Sequence, residues 1–362
     1  MKKTLYLLFL IICILYIIVS TYILFYDGPI NRPKLLTILL MLSALAGAFY
    51  SFKKMKKLLL VLLFIPFVSF GQTNKINNYK VTILSTMLSD THIGEWGFSA
   101  IIEADGQRIL FDTGSRENTV LQNAKELNID LNNIKDVFLS HNHKDHTGGL
   151  ITLREKHPNS FSNAHVGEGI FYSRPNSRGS DHYILNNKNK IQNLGVNFIS
   201  HTKPSQIIPG IWTTGKVPRK YDEKNWSELG KMIDYNGKKR EDTIPEDQSL
   251  FFDTENGIVL VSGCGHAGLA NTLEYIKTII PDRPIYKILG GFHLLKLDNE
   301  KLKWTANKMK EAGVKYFVGA HCTGINSTYK IRKFMGLLSK NALVGSVGTY
   351  INKDGIVPGY ME

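Results

Sequence analysis

Histidine is absent from the first 91 residues of this 362-residue sequence, and only one acid, Asp27, stands in the first 72. That stretch carries eight basic residues, a net +7. The other 290 residues hold 36 bases against 30 acids, only +6 of the overall +13. So small an excess is a weak electrostatic footprint for a nucleic-acid partner, so none is expected and a nuclease is a weaker rival reading. No P-loop or His-Glu-x-x-His motif occurs, which sets aside nucleoside-triphosphate and helix-borne zinc-protease chemistry at the level of motifs. Repeats of fixed short period and low-complexity tracts are missing too. At 43% hydrophobic and 21% charged residues, the chain is no disordered polymer.

What the N-terminal stretch does have is uncharged apolar runs, at 4–26, 35–52 and 58–70. The first would reach roughly 35 Å as a helix, and the second is near the lower limit for a bilayer span. The third is too short for a comfortable span. It follows Lys53-Lys54-Met55-Lys56-Lys57 as the apolar core of an export signal follows its basic start. Lys2, Lys3 and the lysines around Met55 would stay in the cytoplasm. The expectation is a membrane anchor or signal segment at 1–72. A catalytic domain at 73–362 would then lie outside the cytoplasm, anchored to a bacterial inner membrane, or exported to the periplasm if translation starts at Met55.

From Lys80 the pattern changes to short apolar runs separated by turn residues. Strands are expected at 81–85, 99–103, 109–111, 137–140, 196–200, 250–252, 258–262, 285–289, 316–319 and 343–347. Helices are expected over 117–127, 150–156, 269–278, 301–312 and 329–338. Early strands with few helices and later strands alternating with helices predict an α/β domain of sheet layers covered by helices. Residues 220–247, rich in charge and holding Gly230 and Gly237, read as a long surface loop.

The densest chemistry is Ser140-His141-Asn142-His143-Lys144-Asp145-His146-Thr147-Gly148-Gly149, four candidate metal ligands at the end of a strand. In an extended segment His141 and His143 point the same way and can share one ion. A tight turn after them carries Asp145 and His146 toward a second. Imidazole and carboxylate donors suit Zn2+ first, with Fe, Mn or Ni as other choices. His266 and His321 each follow an apolar strand in a glycine-containing turn, and both are expected ligands. His293, after Leu289-Gly290-Gly291, is expected to touch substrate or to stand behind the ligands. Arg219 either binds an anionic substrate group or is an exposed loop arginine. Cys264 and Cys322 neighbour candidate ligands, and a disulfide, weak ligation or a free supporting role are all open to them. The remaining histidines (His92, His157, His165, His182 and His201) lack a partner at ligand spacing and read as surface or hydrogen-bonded residues.

The run His141-x-His143-x-Asp145-His146 resembles, without a gap, the H-x-H-x-D-H signature of the metallo-β-lactamase superfamily. Ile109-Leu110-Phe111-Asp112-Thr113-Gly114 is similar to its strand-end Asp motif, and Tyr316-Phe317-Val318-Gly319-Ala320-His321 to its last ligand motif. The resemblance covers roughly residues 80–350. It implies a four-layer αβ/βα sandwich, one or two divalent metal ions, and an Asp112 that orients a ligand histidine. Where many members end a strand in Gly-Asp, whose Asp bridges two metals, this chain has Cys264 and His266. Together with Gly290-Gly291-Phe292-His293-Leu294, His321-Cys322-Thr323-Gly324, Gly94-Glu95-Trp96-Gly97, Thr214-Gly215-Lys216-Val217-Pro218-Arg219 and Glu246-Asp247-Gln248, this resembles the dihydropteroate-synthase-like or ribofuranosylaminobenzene-phosphate-synthase-like branch. Glu95 is thereby implied as a supporting or substrate-contacting residue.

The expected function is a metal-dependent hydrolase. His141, His143 and His266 would hold one ion with an open position for water, whose pKa falls from about 15.7 toward roughly 7. The resulting hydroxide would attack an ester, lactone, amide or phosphoester in a small, possibly anionic molecule. Asp145, His146 and His321 would hold a second ion, and Asp145 would be the catalytic residue that receives a proton. Two alternatives come from other classes. Di-iron oxidoreductases of this fold carry Glu where this chain has His143 and attach a flavin domain, and neither is present. A membrane-anchored metal- or ligand-binding module without turnover is the other. The pterin or ribosyl-phosphate chemistry in the branch name fits an exported location poorly, and a name carried by a fold is weak support.

Overall fold

The computed structural model describes residues 75–223 and 230–360, together with Cys13 and Ser43. The chain divides into two compact units, Met1–Gly71 and Gln72–Glu362, and the account below concerns the second. The apolar runs 4–26, 35–52 and 58–70 lie outside the described residues. Among the described residues no helix is long and apolar enough to cross a membrane. The longest has 14 residues, about 21 Å of rise against a hydrocarbon core of about 30 Å. The expectation of an inner-membrane-anchored or exported protein is corrected on this finding, while the anchor and signal-segment readings of 1–72 fall on residues outside those described.

The chain begins with an antiparallel set: β1 (Tyr79–Ser85), β2 (Ser99–Ala104) and β3 (Gln107–Phe111). Helix α1 (Thr119–Glu126) leads to β4 (Asp136–Phe138), α2 (Lys144–Thr147) and α3 (Leu150–Lys156). Next come β5 (Asn163–Gly167), α4 (Tyr183–Asn186), α5 (Lys188–Asn193) and β6 (Asn197–His201). Two short strands, β7 (Ser205–Ile208) and β8 (Ile211–Thr213), precede a small hairpin of β9 (Lys231–Ile233) and β10 (Lys239–Glu241). The second half runs through β11 (Leu250–Thr254), β12 (Gly257–Ser262), α6 (Leu269–Ile279), β13 (Ile285–Gly290) and α7 (Asn299–Ala312). It closes with β14 (Tyr316–Gly319), α8 (Ile325–Met335), β15 (Ala342–Val344), β16 (Tyr350–Asn352) and β17 (Ile356–Val357).

Two large sheets result, in the orders β17-β16-β1-β2-β3-β4-β5-β6 and β15-β14-β13-β12-β11-β8-β7. One apolar cluster, with Val81, Ile102, Phe111, Phe138, Phe252, Val261 and Leu289, lies between them. A second packs the early helices on the first sheet, and a third packs α6, α7 and α8 on the second. The layers are therefore helix, sheet, sheet, helix. β12 is buried along its whole length, as expected of a strand covered on both faces. α7 shows how sequence fixes an element. Asp298 caps its first turn by accepting from the Lys301 amide at 2.8 Å, Gly313 ends it at φ 96°, and Leu302, Thr305, Ala306 and Met309 form the buried stripe.

Residues 220–247 are not simply a surface loop. They contain the β9–β10 hairpin, and Asp242 and Glu246 after it are buried against Arg174, with Arg174 Nε to Asp242 Oδ2 at 2.8 Å and Nη2 to Glu246 Oε2 at 2.9 Å. Asp242 and Glu246 are buried because they are paired, while Lys238, Lys239 and Arg240 stay exposed as a charged turn does. Strands β3 to β6 pair in parallel, and so do β12 to β15. The carboxyl ends of β3, β4, β12, β13 and β14 lead directly into Asp112, His141, Cys264, His293 and His321, the end of a parallel sheet where ligands gather.

Candidate metal centre

After Phe138 the chain bends at His141–Asn142 and reaches His143, whose ψ of 144° precedes the single turn of α2. That turn brings Asp145 and His146 to His321, with the His146 ring also 4.2 Å from that of His141. The end of β12 reaches them only because it lacks side chains at one point. A Cβ on Gly263 would sit 2.1 Å from Ser140 Oγ, so glycine there is what lets Cys264 and His266 approach the β4 end. Asp112, His293 and His321 are all left-handed, with φ of 52°, 47° and 45°, a conformation that non-glycine residues hold mainly where the surroundings impose it.

Of four ligand-sized groups among the described residues, two include Cys264 (with His141 and His146, and with His293 and Cys322), and the other two use imidazole and carboxylate alone. His141, His143 and His266 place their ligand nitrogens within 4.8 Å of one another, and Asp145, His146 and His321 do the same. In the first set His141 Nε2 and His266 Nε2 are 3.2 Å apart. In the second, Asp145 Oδ2 lies 3.2 Å from His321 Nε2 and 3.9 Å from His146 Nε2. Two nitrogen or oxygen ligands on one tetrahedral ion, each at about 2.0–2.1 Å, stand roughly 3.3 Å apart. Moreover, His321 Nδ1 is buried without a hydrogen-bond partner among the described residues. The residues present therefore fit divalent ions, and the donor chemistry suits Zn2+, Fe, Mn or Ni.

Electrostatics keep His141, His143 and Asp145 in ligand form and charge His146, which would release a proton on binding an ion. Burial pushes His143 down to about 4 and His141 well below the usual imidazole range, so both stay neutral. Burial works to raise the Asp145 carboxyl, but His146 and His321 overrule it and hold it well below the ordinary carboxylate range. Burial would likewise depress His146, yet the carboxylates of Asp112 and Asp145 hold it up to about 9. Asp112 accepts from His146 Nδ1 at 2.6 Å and from the Ser140 amide and hydroxyl at 2.7 Å each. Its bond to Nδ1 leaves Nε2 to face the set.

The other expected residues are placed as follows. The His293 ring lies 4.4 Å from that of His266, beside the first set but in neither. Cys264 Sγ lies 3.1 Å from His146 Nε2. Cys264 and Cys322 are free thiols with sulfurs 3.3 Å apart, not a disulfide. Arg219, in an exposed loop, donates to the carbonyls of His266 and Thr243 and so braces the His266 turn. Glu95 accepts from Ser85 Oγ, the amides of Ser115 and Arg116, and Thr119 Oγ1, which ties the Asp112 loop to α1 and keeps Glu95 off the centre.

Sequence reasoning did not single out Trp96, Asn142 or Asp247. Trp96, 47% exposed, lays its ring 4.7 Å from that of His321 at the mouth of the site. Its position between Glu95 and Gly97 was the available signal. The Asn142 amide is buried with neither end paired among the described residues. Asp247 accepts from the Ala267 amide at 2.9 Å, a contact across 20 residues that no local pattern announces. A cavity of about 350 Å3 opens beside His293, lined in part by Lys296, Lys301 and Trp304.

A family model described as the metallo-beta-lactamase superfamily matches residues 97–171, the segment that holds the His141–His146 run. The chain is similar to the 7,8-dihydropterin-6-methyl-4-(beta-D-ribofuranosyl)-aminobenzene-5'-phosphate synthase of Methanocaldococcus jannaschii. The two are 31% identical over 271 residues, 70% of this chain and 90% of that one. An uncharacterized protein of the same organism is 30% identical over 264 residues, 70% of this chain and 92% of that one. Among solved structures, Tm1679, described as a metal-dependent hydrolase of the beta-lactamase superfamily, superposes with a TM-score of 0.62 at 25% identity. The match covers 75% of this chain and 98% of that one. The chain belongs to the metallo-β-lactamase superfamily.

Proposed function

We propose that residues 73–362 form a metal-dependent hydrolase that cleaves an ester-type bond, carboxylic or phosphoric, in a small anionic substrate. The observation that carries this reading is the pair of three-donor sets, spaced as tetrahedral ligands are and fed by one six-residue run. His141, His143 and His266 would hold one divalent ion and Asp145, His146 and His321 the other. Ions there would supply Lewis-acid polarisation and a water of lowered pKa.

The chain's own residues supply the rest. Asp145, ionised and 18% exposed on the open side, accepts a hydrogen bond from the attacking water and aims it. Asp112 fixes His146 in one tautomer. Lys296 and Lys301 bring positive charge to the cavity beside His293, which Asp222, Glu223 and Asp298 also line, and Trp96 offers a flat face that sheds water from the mouth.

A second reading, bond formation between a pterin and a phosphorylated ribosyl-aminobenzene at the same site, is favoured by the 31% identity to the synthase over 90% of its length. Purified full-length protein, loaded with Zn2+, Mn2+ or Fe2+, separates the two. Turnover of a lactone, thioester, phosphodiester or β-lactam that disappears in Asp145→Ala supports hydrolysis. Inertness toward that panel, with condensation of the pterin and ribosyl-aminobenzene phosphate, replaces it with the second reading.

A further inference from the structure

Four polar side chains outside the donor sets form one continuous run of hydrogen bonds. Asp136 opens β4, His165 lies midway along β5, His201 ends β6 and Ser205 opens β7. None of them belongs to a ligand-sized group among the described residues. His165 Nε2 lies 3.0 Å from Asp136 Oδ1, His165 Nδ1 lies 2.9 Å from His201 Nε2, and His201 Nδ1 lies 2.7 Å from Ser205 Oγ. β6 and β7 are end strands of the two large sheets, so the run passes from the interior of one sheet to the margin of the other. His165 is buried, His201 and Ser205 are half-buried, and Thr202, Lys203 and Gln206 around them are exposed.

Chemistry fixes the direction of each bond. Burial works to raise the Asp136 carboxyl, but hydrogen bonds from His165 and Asn163 overrule it and hold it below the ordinary carboxylate range. Ionised, it can only accept. With both rings neutral, His165 donates from Nε2 and accepts at Nδ1, and His201 must do the same. Ser205 therefore gives its hydroxyl proton to His201. A serine bonded to a ring that a further group orients, each bond within about 2.6–3.2 Å, is how an enzyme activates a hydroxyl. Burial and His165 push His201 down to about 4, which alone makes it a weak base. The second imidazole offsets that weakness. As His201 Nδ1 takes the serine proton, the proton on its Nε2 passes to His165 Nδ1, and the charge settles on the ring that Asp136 faces.

We propose that Ser205 is a nucleophile outside the metal centre, one that accepts the acyl group of an activated ester such as an aryl ester. Ser205 Oγ attacks the ester carbonyl carbon, and an Oγ–C bond forms while the hydroxyl proton goes to His201 Nδ1. The bond from that carbon to the leaving oxygen then breaks. The leaving oxygen departs with the electron pair and takes a proton back from the same ring. The acyl group stays on Ser205 until water cleaves it. His201 is the base, and His165 and Asp136 position it and carry its charge. A hydroxyl at a strand end needs one partner to be satisfied. Two imidazoles and a carboxylate in line behind it exceed that need. The site uses no ion and stands apart from the metal-enzyme reading above.

The test treats the full-length chain, as purified and again with a chelator, with p-nitrophenyl acetate. Released p-nitrophenolate gives the rate, and mass spectrometry of peptides from the quenched protein locates the acetyl group. The expected result is a burst that survives the chelator, with acetyl on the Ser205 peptide. His201→Ala should slow that burst by about 10²–10⁴-fold, the usual worth of a general base. Asp136→Asn should slow it while leaving the ester concentration at half-maximal rate unchanged. Near-ultraviolet circular dichroism checks the fold of each variant, and the mapping of the wild type needs no variant to fold. Acetyl found on lysines or other serines but not on Ser205 overturns the proposal. So does acetylation of Ser205 at the wild-type rate in a folded His201→Ala.

Discussion

Two buried polar clusters at different points along β13 handle charge in opposite ways. Lys287 is 1% exposed, and its Nζ donates to the carbonyls of Asn352 at 2.6 Å and Lys353 at 3.3 Å. The ring of Tyr316 lies 4.4 Å away, with those of Tyr286 and Tyr79 at 5.6 and 5.9 Å. The ammonium is thus met by oxygens and aromatic faces, which is what a buried cation needs to be architecture. Past the carboxyl end of the same strand, donors confront one another. His141 and His266 aim nitrogens together, and His321 Nδ1 and the Asn142 amide have no partner among the described residues. Three residues there also hold left-handed backbone. Polar groups settled by the protein itself build the fold, whereas groups left waiting mark where something else binds.

The sharpest way to break this comparison is Asp145→Ala. Turnover of any substrate found should fall roughly 10²–10⁴-fold, with the unfolding midpoint unchanged or higher, as read by steady-state assay and thermal denaturation. Asp112→Asn keeps the shape but weakens the acceptor for His146, and affinity for one of two metal equivalents should drop about 10–100-fold in a chelator competition. At the other cluster the effects reverse. Lys287→Ala should lower stability by about 2–4 kcal/mol, since it removes both stem and charge from a packed site, with turnover unchanged. Lys287→Met, which keeps the volume, should recover most of that loss.

The smallest effect is a pH slope. Burial pushes Lys287 down to about 8, with Asp354 opposing. Its folded pKa is therefore below the unfolded value, and between about 8 and about 10 the unfolded chain binds a proton that the folded chain refuses. Stability should fall as pH drops through that window and level off below it. Urea denaturation at several pH values should show this component in the wild type and not in Lys287→Met.

The centre was legible where its chemistry is contiguous. His141, His143, Asp145 and His146 lie within one turn of chain, and His266 and His321 follow strands whose apolar character is plain. Contacts that close over long separations were not legible, such as Arg219 against the His266 carbonyl across 47 residues. Strands of three or four residues such as β7 and β8 are too brief to show a period. The 220–247 stretch misled because Arg174, which draws Asp242 and Glu246 inward, comes from a distant loop. The expected membrane location is the part corrected, since no described helix is long and apolar enough to cross one, and the apolar runs and flanking lysines behind it lie outside the described residues.

The central claim is that two separable donor sets meet in one centre. Metal content per chain, measured after equilibrium dialysis of the full-length protein, His266→Ala and His321→Ala, tests it most directly. The account predicts two ions in the wild type and one in each variant. A wild type that retains none, or variants that each lose both ions together, would contradict it.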